Sequence, residues 1–171
     1  MFDVVIIGGA MIGSSVAWFL SHNDAFDGRI LVVERDPTYE KSSTAHTNSC
    51  MRQQFSSELN IRISQFAADF VRDFRDYMGG DPAVPDLHVH HFGYMYLADN
   101  ETFASRLKQS HAIQAGCGAG TRLMSPGEIS AAYPFYQLDD IVLGSHNIVD
   151  EGYFDGATML DWWRRKARQK N

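Results

Sequence analysis

The chain has 171 residues, 44% of them hydrophobic, with 21 acidic and 15 basic residues and a net charge of −6. That length supports a well-buried core, and the acidic balance with scattered Lys and Arg excludes a basic face for nucleic acid. No apolar run is long enough to span a bilayer, and the first residues show neither a basic n-region nor a cleavage site.

Cys50 and Cys117 have no metal-like spacing and make no disulfide framework, so a reducing compartment is expected, with the cytoplasm as the default. There is no internal repeat.

Val4-Val5-Ile6-Ile7 is a β-branched apolar run and predicts a strand buried on both faces. It breaks at Gly8-Gly9. From Met11 to Leu20, Ile12, Val16, Phe19 and Leu20 recur at helical spacing. Ile30-Leu31-Val32-Val33 then predicts a second buried strand ending on Glu34. Strand, glycine turn, helix and strand make one βαβ unit.

The first turn of such a helix has unpaired N–H groups and the positive end of the helix dipole, which suits a pyrophosphate. Gly8 supplies the tight turn and Gly13 lets the helix lie close on the strand. Glu34, about 20 residues past Gly13, stands where a carboxylate accepts hydrogen bonds from ribose hydroxyls. Ala10 replaces the middle glycine of the dinucleotide fingerprint. A carboxylate repels a 2′-phosphate, so FAD or NAD is favoured over NADP, and the neighbouring Arg35 reads as a solvated side chain near the adenine edge.

Lys41 to Ser57 is hydroxyl- and amide-rich without apolar period, and reads as a functional loop beside the rest of the cofactor. Ser57-Glu58 opens an amphipathic helix with Leu59, Ile63, Phe66, Phe70, Phe74 and Tyr77 as its core stripe and Gly79-Gly80 as its end. Asp81 to Asp86 reads as a linker. Leu87 to Ala98 predicts one or two strands of a second sheet. His88, His90 and His91 lie in it without a carboxylate or cysteine partner, so no metal site is assigned.

Asn100 caps a helix to about Gln114, with Phe103, Leu107 and Ala115 inward and Gly116 as the stop. Arg122 to Met124 predicts a short strand. Ser125-Pro126-Gly127-Glu128 is a capping box opening a short helix to about Tyr133. Ile141 to Val149 reads as a strand. Asp155 caps a last helix with Leu160, Trp163 and Ala167 inward and a basic final turn.

The stretches DVVIIGGAMIGSSVAWFL, ILVVERDPTY, STAHTNSCMRQQFS, HFGYMYLA, MSPGEISAAYP and EGYFDGATMLDWWRRKA resemble, in that order, the FAD-dependent oxidoreductases of the D-amino-acid oxidase and sarcosine (glycine) oxidase type. The resemblance covers nearly the whole chain. Its most specific parts are the βαβ unit with Glu34 and the run Ser43 to Phe55.

The resemblance implies FAD as cofactor, a small secondary or primary amine or amino acid as substrate, hydride transfer to the flavin, and oxygen or another acceptor for the electrons. It matches the pyrophosphate turn to Gly8, Ala10, Met11, Ile12 and Gly13, the ribose acid to Glu34 with Arg35 beside it, and the flavin-side loop to Ser43, Thr44, Arg52, Gln53 and Gln54. In that match Arg52 brings positive charge near the flavin. Relatives that bind flavin covalently share the pattern matched by Ser43-Thr44-Ala45-His46, but His46 is read as a loop histidine. Ser49 and Cys50 stand where family members often have glycine. No catalytic residue is assigned.

The expected fold is α/β: a Rossmann-like FAD-binding βαβ unit with part of a second, α+β substrate domain. Residues 1–80 form the cofactor-binding part, 81–150 a partial substrate-domain insertion, and 151–171 a helix returning to the first domain. Because the family chain continues past this point, the sequence is read as a truncated N-terminal portion unable to turn over an amine alone. The alternative is an assembly or scaffold protein of the same fold with little catalysis, as in the branch linked to respiratory complex I assembly.

Overall fold

Glycine, proline and Asx punctuation cuts the chain into short elements, and the fold is mixed α/β. The computed structural model describes residues 1–170. In chain order the elements are β1 (Val4–Ile7), α1 (Met11–Ser21), β2 (Ile30–Val33), a 3₁₀ turn (Ser43–His46), β3 (Cys50–Met51), α2 (Glu58–Arg72), α3 (Phe74–Tyr77), β4 (Tyr94–Ala98), α4 (Glu101–Gly116), β5 (Arg122–Met124), α5 (Pro126–Ala132), β6 (Leu143–Asn147), β7 (Gly152–Tyr153) and α6 (Gly156–Lys170).

Two units interleave along the chain. The first takes residues 1–49 and 73–87 and everything described from Asp155 on; the second takes 50–72 and 88–154. The expected boundaries fell at residues 80 and 150. The chain crosses between units four times because α2 folds with the second unit while α3 and α6 fold with the first.

In the first unit β1 and β2 pair in parallel, Val4 opposite Ile30 through Ile7 opposite Val33. Helices α1 and α6 lie along each other. Ala17 and Trp18 of α1 are buried, as are Met159, Leu160, Trp163 and Ala167 of α6. The strands are not buried on both faces as their composition suggested. Val5, Ile7 and Val33 are exposed, Ile7 to 88%. Side chains alternate across a strand, so helices on one side cover only every second residue.

The segment from Asp81 to Asp86 is no loose linker. Val84 is fully buried, Arg75 donates to its carbonyl at 2.8 Å, and Lys166 of α6 pairs with Asp81 at 2.7 Å.

The second unit is built on an antiparallel sheet of order β4-β6-β5. Ala98, Ala104 and Leu107 form its core against Tyr96, Phe103, Leu123 and Leu143, so one face of α4 packs on the sheet. Asn100 caps α4 by accepting from the Phe103 N–H at 2.8 Å. Ala115, expected inward, is exposed, and Gln114 takes its place by donating to the Phe55 carbonyl at 3.0 Å. β3 pairs with β7, and the expected functional loop from Lys41 to Ser57 therefore contains a 3₁₀ turn and a strand.

The long helix expected from Ser57 to Gly79 breaks at Asp73. Its buried residues within α2 are Ile61, Ala68, Phe70 and Val71, while Leu59, Ile63 and Phe66 are exposed. Two apolar stripes run side by side on this helix. The neighbour decides between them: Gln65 donates to the Cys117 carbonyl just past α4 at 2.9 Å, which turns the Ile61 side inward.

The capping box of α5 forms as the sequence reads. Ser125 Oγ accepts from the Glu128 N–H, and Glu128 accepts from the Ser125 N–H at 2.7 Å. Ser125→Ala leaves the Glu128 N–H without its acceptor, so we expect a loss of about 1 kcal/mol of stability, read from the shift in the urea unfolding midpoint at unchanged m-value. No shift would mean that water replaces the serine.

Candidate functional site: the glycine turn and its acid

The turn between β1 and α1 is fixed by close backbone approaches. Gly8 sits at φ +95°, a conformation that costs glycine little, and its N–H donates to the Val33 carbonyl at 2.8 Å. This bond ties the C-terminal ends of the two parallel strands together. Gly13 lies one turn into α1. A Cβ there would overlap the carbonyl oxygen of Gly8 and approach Ile6 at 3.1 Å. Glycine at 13 is therefore set by backbone meeting backbone.

Helix α1 begins at Ala10 with no side-chain cap and no acidic residue in its first turn. The first amides of a helix have no acceptor within it. Here Met11 N–H finds one, Thr44 Oγ1, at 3.3 Å. Thr44 and Ser43 belong to the 3₁₀ turn, whose start is capped by Ser42. The structure thus brings the Thr44 hydroxyl onto the turn formed by Gly8, Ala10, Met11, Ile12 and Gly13.

Glu34 closes the other side. One carboxylate oxygen accepts from the Gly9 N–H at 2.7 Å and the other from the Asp36 N–H at 2.9 Å. The Asp36 and Gly9 amides hold its carboxyl below the usual carboxylate range. Each oxygen keeps a second lone pair for another donor. Ile7, Gly8, Val33, Glu34, Arg35, Tyr39 and Ser42 line a cleft of about 430 Å³ at these strand ends. Open parallel sheets bind ligands at the carboxyl ends of their strands.

A second cleft of about 420 Å³ lies toward the helices, lined by Ser14, Ala17, Ile30, Val32 and Arg164, with Glu34 and Tyr39 shared between the two. Tyr39 carries a positive φ of 61° and its ring lies 4.4 Å from the Arg164 guanidinium. Sequence reasoning missed it, because nothing local marks a tyrosine for the left-handed region.

Arg52, Gln53 and Gln54 lie in the second unit. Gln53 and Gln54 are buried. Their backbone N–H groups donate to one oxygen of Glu151 at 2.7 and 3.0 Å. Gln54 Nε2 donates to the other oxygen at 3.0 Å and to the Tyr94 carbonyl at 2.9 Å. Asn147 Nδ2 adds a fourth donor to Glu151 at 3.0 Å. Burial pushes the Glu151 carboxyl above its ordinary range, against the pull of these donors.

Glu151 was also missed. Its donors come from residues far apart in sequence, which no local pattern announces. His46 is exposed on the 3₁₀ turn, and His90 stacks on Tyr153 at 4.4 Å.

The model of a family described as FAD dependent oxidoreductase matches residues 3–171. The chain is 36% identical over 169 residues to FAD-dependent oxidoreductase domain-containing protein 1 of Xenopus laevis, covering 96% of this chain and 34% of that protein. It thus spans about a third of that relative's length. Among solved structures, L-proline dehydrogenase from P. horikoshii superposes with a TM-score of 0.79 at 22% identity, over 99% of this chain and 42% of that one. Glycine oxidase from Bacillus cereus gives 0.71 at 17% identity, over 100% and 45%.

Proposed function

The chain belongs to the FAD-dependent oxidoreductase family, and from that premise we propose that its first unit holds the adenosine diphosphate half of FAD in an enzyme that oxidises a small amine or amino acid. The observation that carries this reading is the uncapped start of α1 facing a carboxylate already bonded to the glycine turn. The residues fit the cofactor: the amides from Ala10 to Gly13 suit the diphosphate, and Glu34 has lone pairs left for two ribose hydroxyls.

When bound, FAD supplies an acceptor for a hydride from the substrate carbon next to nitrogen. The chain's own residues bind and orient. Glu34 fixes the sugar, Thr44 pins its loop to Met11, and Arg52 offers positive charge. The names of the similar proline dehydrogenase and glycine oxidase support a small amino acid as substrate. A cytoplasmic location belongs to the same proposal. It rests on the sequence spacing of Cys50 and Cys117, which builds no disulfide framework.

An absorbance spectrum of the purified protein tests the reading. Flavin bands that bleach under an N-methyl amino acid support it. Bands that persist under every amine tried favour a non-catalytic assembly protein, and absence of bands after FAD loading overturns it.

Glu34→Ala is expected to weaken FAD binding about 10- to 100-fold, the loss of charge-assisted hydrogen bonds. The folded carboxyl titrates below its ordinary 4.5. Its contribution is therefore complete above about 4.5 and lost as pH falls through the lowered value. Flavin fluorescence titrations of the wild type should stay flat from neutral pH to near 4.5 and weaken only below it. Weakening already above pH 5 would mean that a different group titrates.

A further inference from the structure

We propose that Glu151 is a positioning residue: one fully buried carboxylate fixes the Arg52–Gln54 backbone and thereby sets where the Arg52 guanidinium points. Glu151 has no exposed surface, and its two oxygens accept from Gln53 N–H, Gln54 N–H, Gln54 Nε2 and Asn147 Nδ2. Two consecutive backbone amides bound to one oxygen leave the peptides on either side of Gln53 no freedom to rotate. Arg52 leaves the chain directly before them.

The groups around Arg52 hang on the same acid. Its guanidinium carbon lies 4.7 Å from the Phe55 ring and 6.0 Å from the Tyr94 ring. Gln54 Nε2 bridges Glu151 to the Tyr94 carbonyl, so the backbone behind one ring is tied to the carboxylate. Gln54 cannot turn its amide over, because its oxygen already accepts from Ser145 Oγ at 2.8 Å while its nitrogen serves two acceptors.

Arg52 keeps its charge unspent. Among the described residues Arg62, Arg72, Arg75 and Arg165 each have a carboxylate partner; Arg52 has none and, like Arg164 over Tyr39 in the first unit, lies against an aromatic face instead. Its Nε is buried without an acceptor. Aromatic faces hold a cation without neutralising it, and the negative charge of Glu151 is taken up by four other donors. The result is a guanidinium aimed by a distant acid and open to an anion. What that anion is in the reaction rests on the amine-oxidoreductase reading; the aiming itself does not.

The Nε–Hε signal of Arg52, assigned by its loss in Arg52→Lys, reads the aim directly in ¹⁵N-labelled protein, with sodium acetate as the anion probe. The wild type is expected to give a dispersed, ordered signal that moves with acetate. Glu151→Gln places an amide N–H₂ against the Gln54 donor. We expect the Arg52 signal to collapse to the position of mobile arginines and acetate binding to weaken roughly tenfold, the equivalent of about 1.4 kcal/mol.

Gln54→Leu removes the side-chain bonds to Tyr94, Glu151 and Ser145 but leaves the Gln53 and Gln54 backbone amides on Glu151, and it decides the matter should Glu151→Gln fail to fold. It should broaden the same signal without abolishing the fold. An unchanged Arg52 signal in every folded variant overturns the proposal. Failure of the wild type to bind FAD sinks the function reading alone, since the arginine signal is read without flavin.

Discussion

Gly13→Val is expected to abolish FAD binding at micromolar concentrations while leaving the second unit folded. A Cβ at position 13 would overlap the Gly8 carbonyl oxygen, which belongs to the backbone of the turn itself. No rotamer change relieves a contact of this kind. Either α1 moves off β1 or the end of β1 shifts, and both carry amides that the diphosphate needs. Overpacking in a tight contact costs about 1–3 kcal/mol, and more where backbone must move. If that strain is relieved only by opening the turn, FAD affinity falls by roughly 100-fold, the equivalent of about 2.7 kcal/mol.

Gly127→Ala is the contrast. A Cβ there meets nothing within 4 Å, and the residue lies inside α5. Replacing a helical glycine by alanine adds about 0.5–1 kcal/mol of stability, and FAD affinity should not change. Fluorescence titration with FAD and thermal melts followed by circular dichroism separate the two. Normal FAD affinity in Gly13→Val would mean that the approach of α1 to β1 does not build the cradle.

Where a structural decision is made by neighbours in sequence, the chain announces it. The Asn100 cap and the capping box at Ser125 are closed by groups within a few residues of one another and appear as read, and the order β1–α1–β2 appears too, though its strands are covered on one face only. Glu34 was also legible, because the separation between a glycine turn and the next strand end is set by the length of one helix. The facing of α2 was not. Leu59, Ile63 and Phe66 of the expected stripe are exposed while the Ile61 side is buried, because the neighbour past α4 lies there. The buried role of Val84 was hidden for the same reason: the turn that holds it is anchored by Lys166, 85 positions away.

Glu151 is the strongest case, and its removal should be the costliest change in the second unit. Glu151→Ala strands two buried backbone N–H groups and takes one of two acceptors from each of the Gln54 and Asn147 amides. Removing one member of a buried, charge-assisted network costs about 3–5 kcal/mol, against well under 1 for an exposed pair. The pair of Arg62 and Glu58, both side chains more than half exposed, is the internal control. Glu58→Ala should therefore sit within about 0.5 kcal/mol of wild type. All three tryptophans lie in the first unit, so their fluorescence would miss the effect. Hydrogen exchange at the amides of β6 reports it instead. Opening of β4-β6-β5 in Glu151→Ala should become at least about 150-fold more frequent, the exponential of 3 kcal/mol. Protection unchanged at Ser145 and Asn147 would show that the four donors find other acceptors and that the carboxylate is not what joins the 52–54 segment to the sheet.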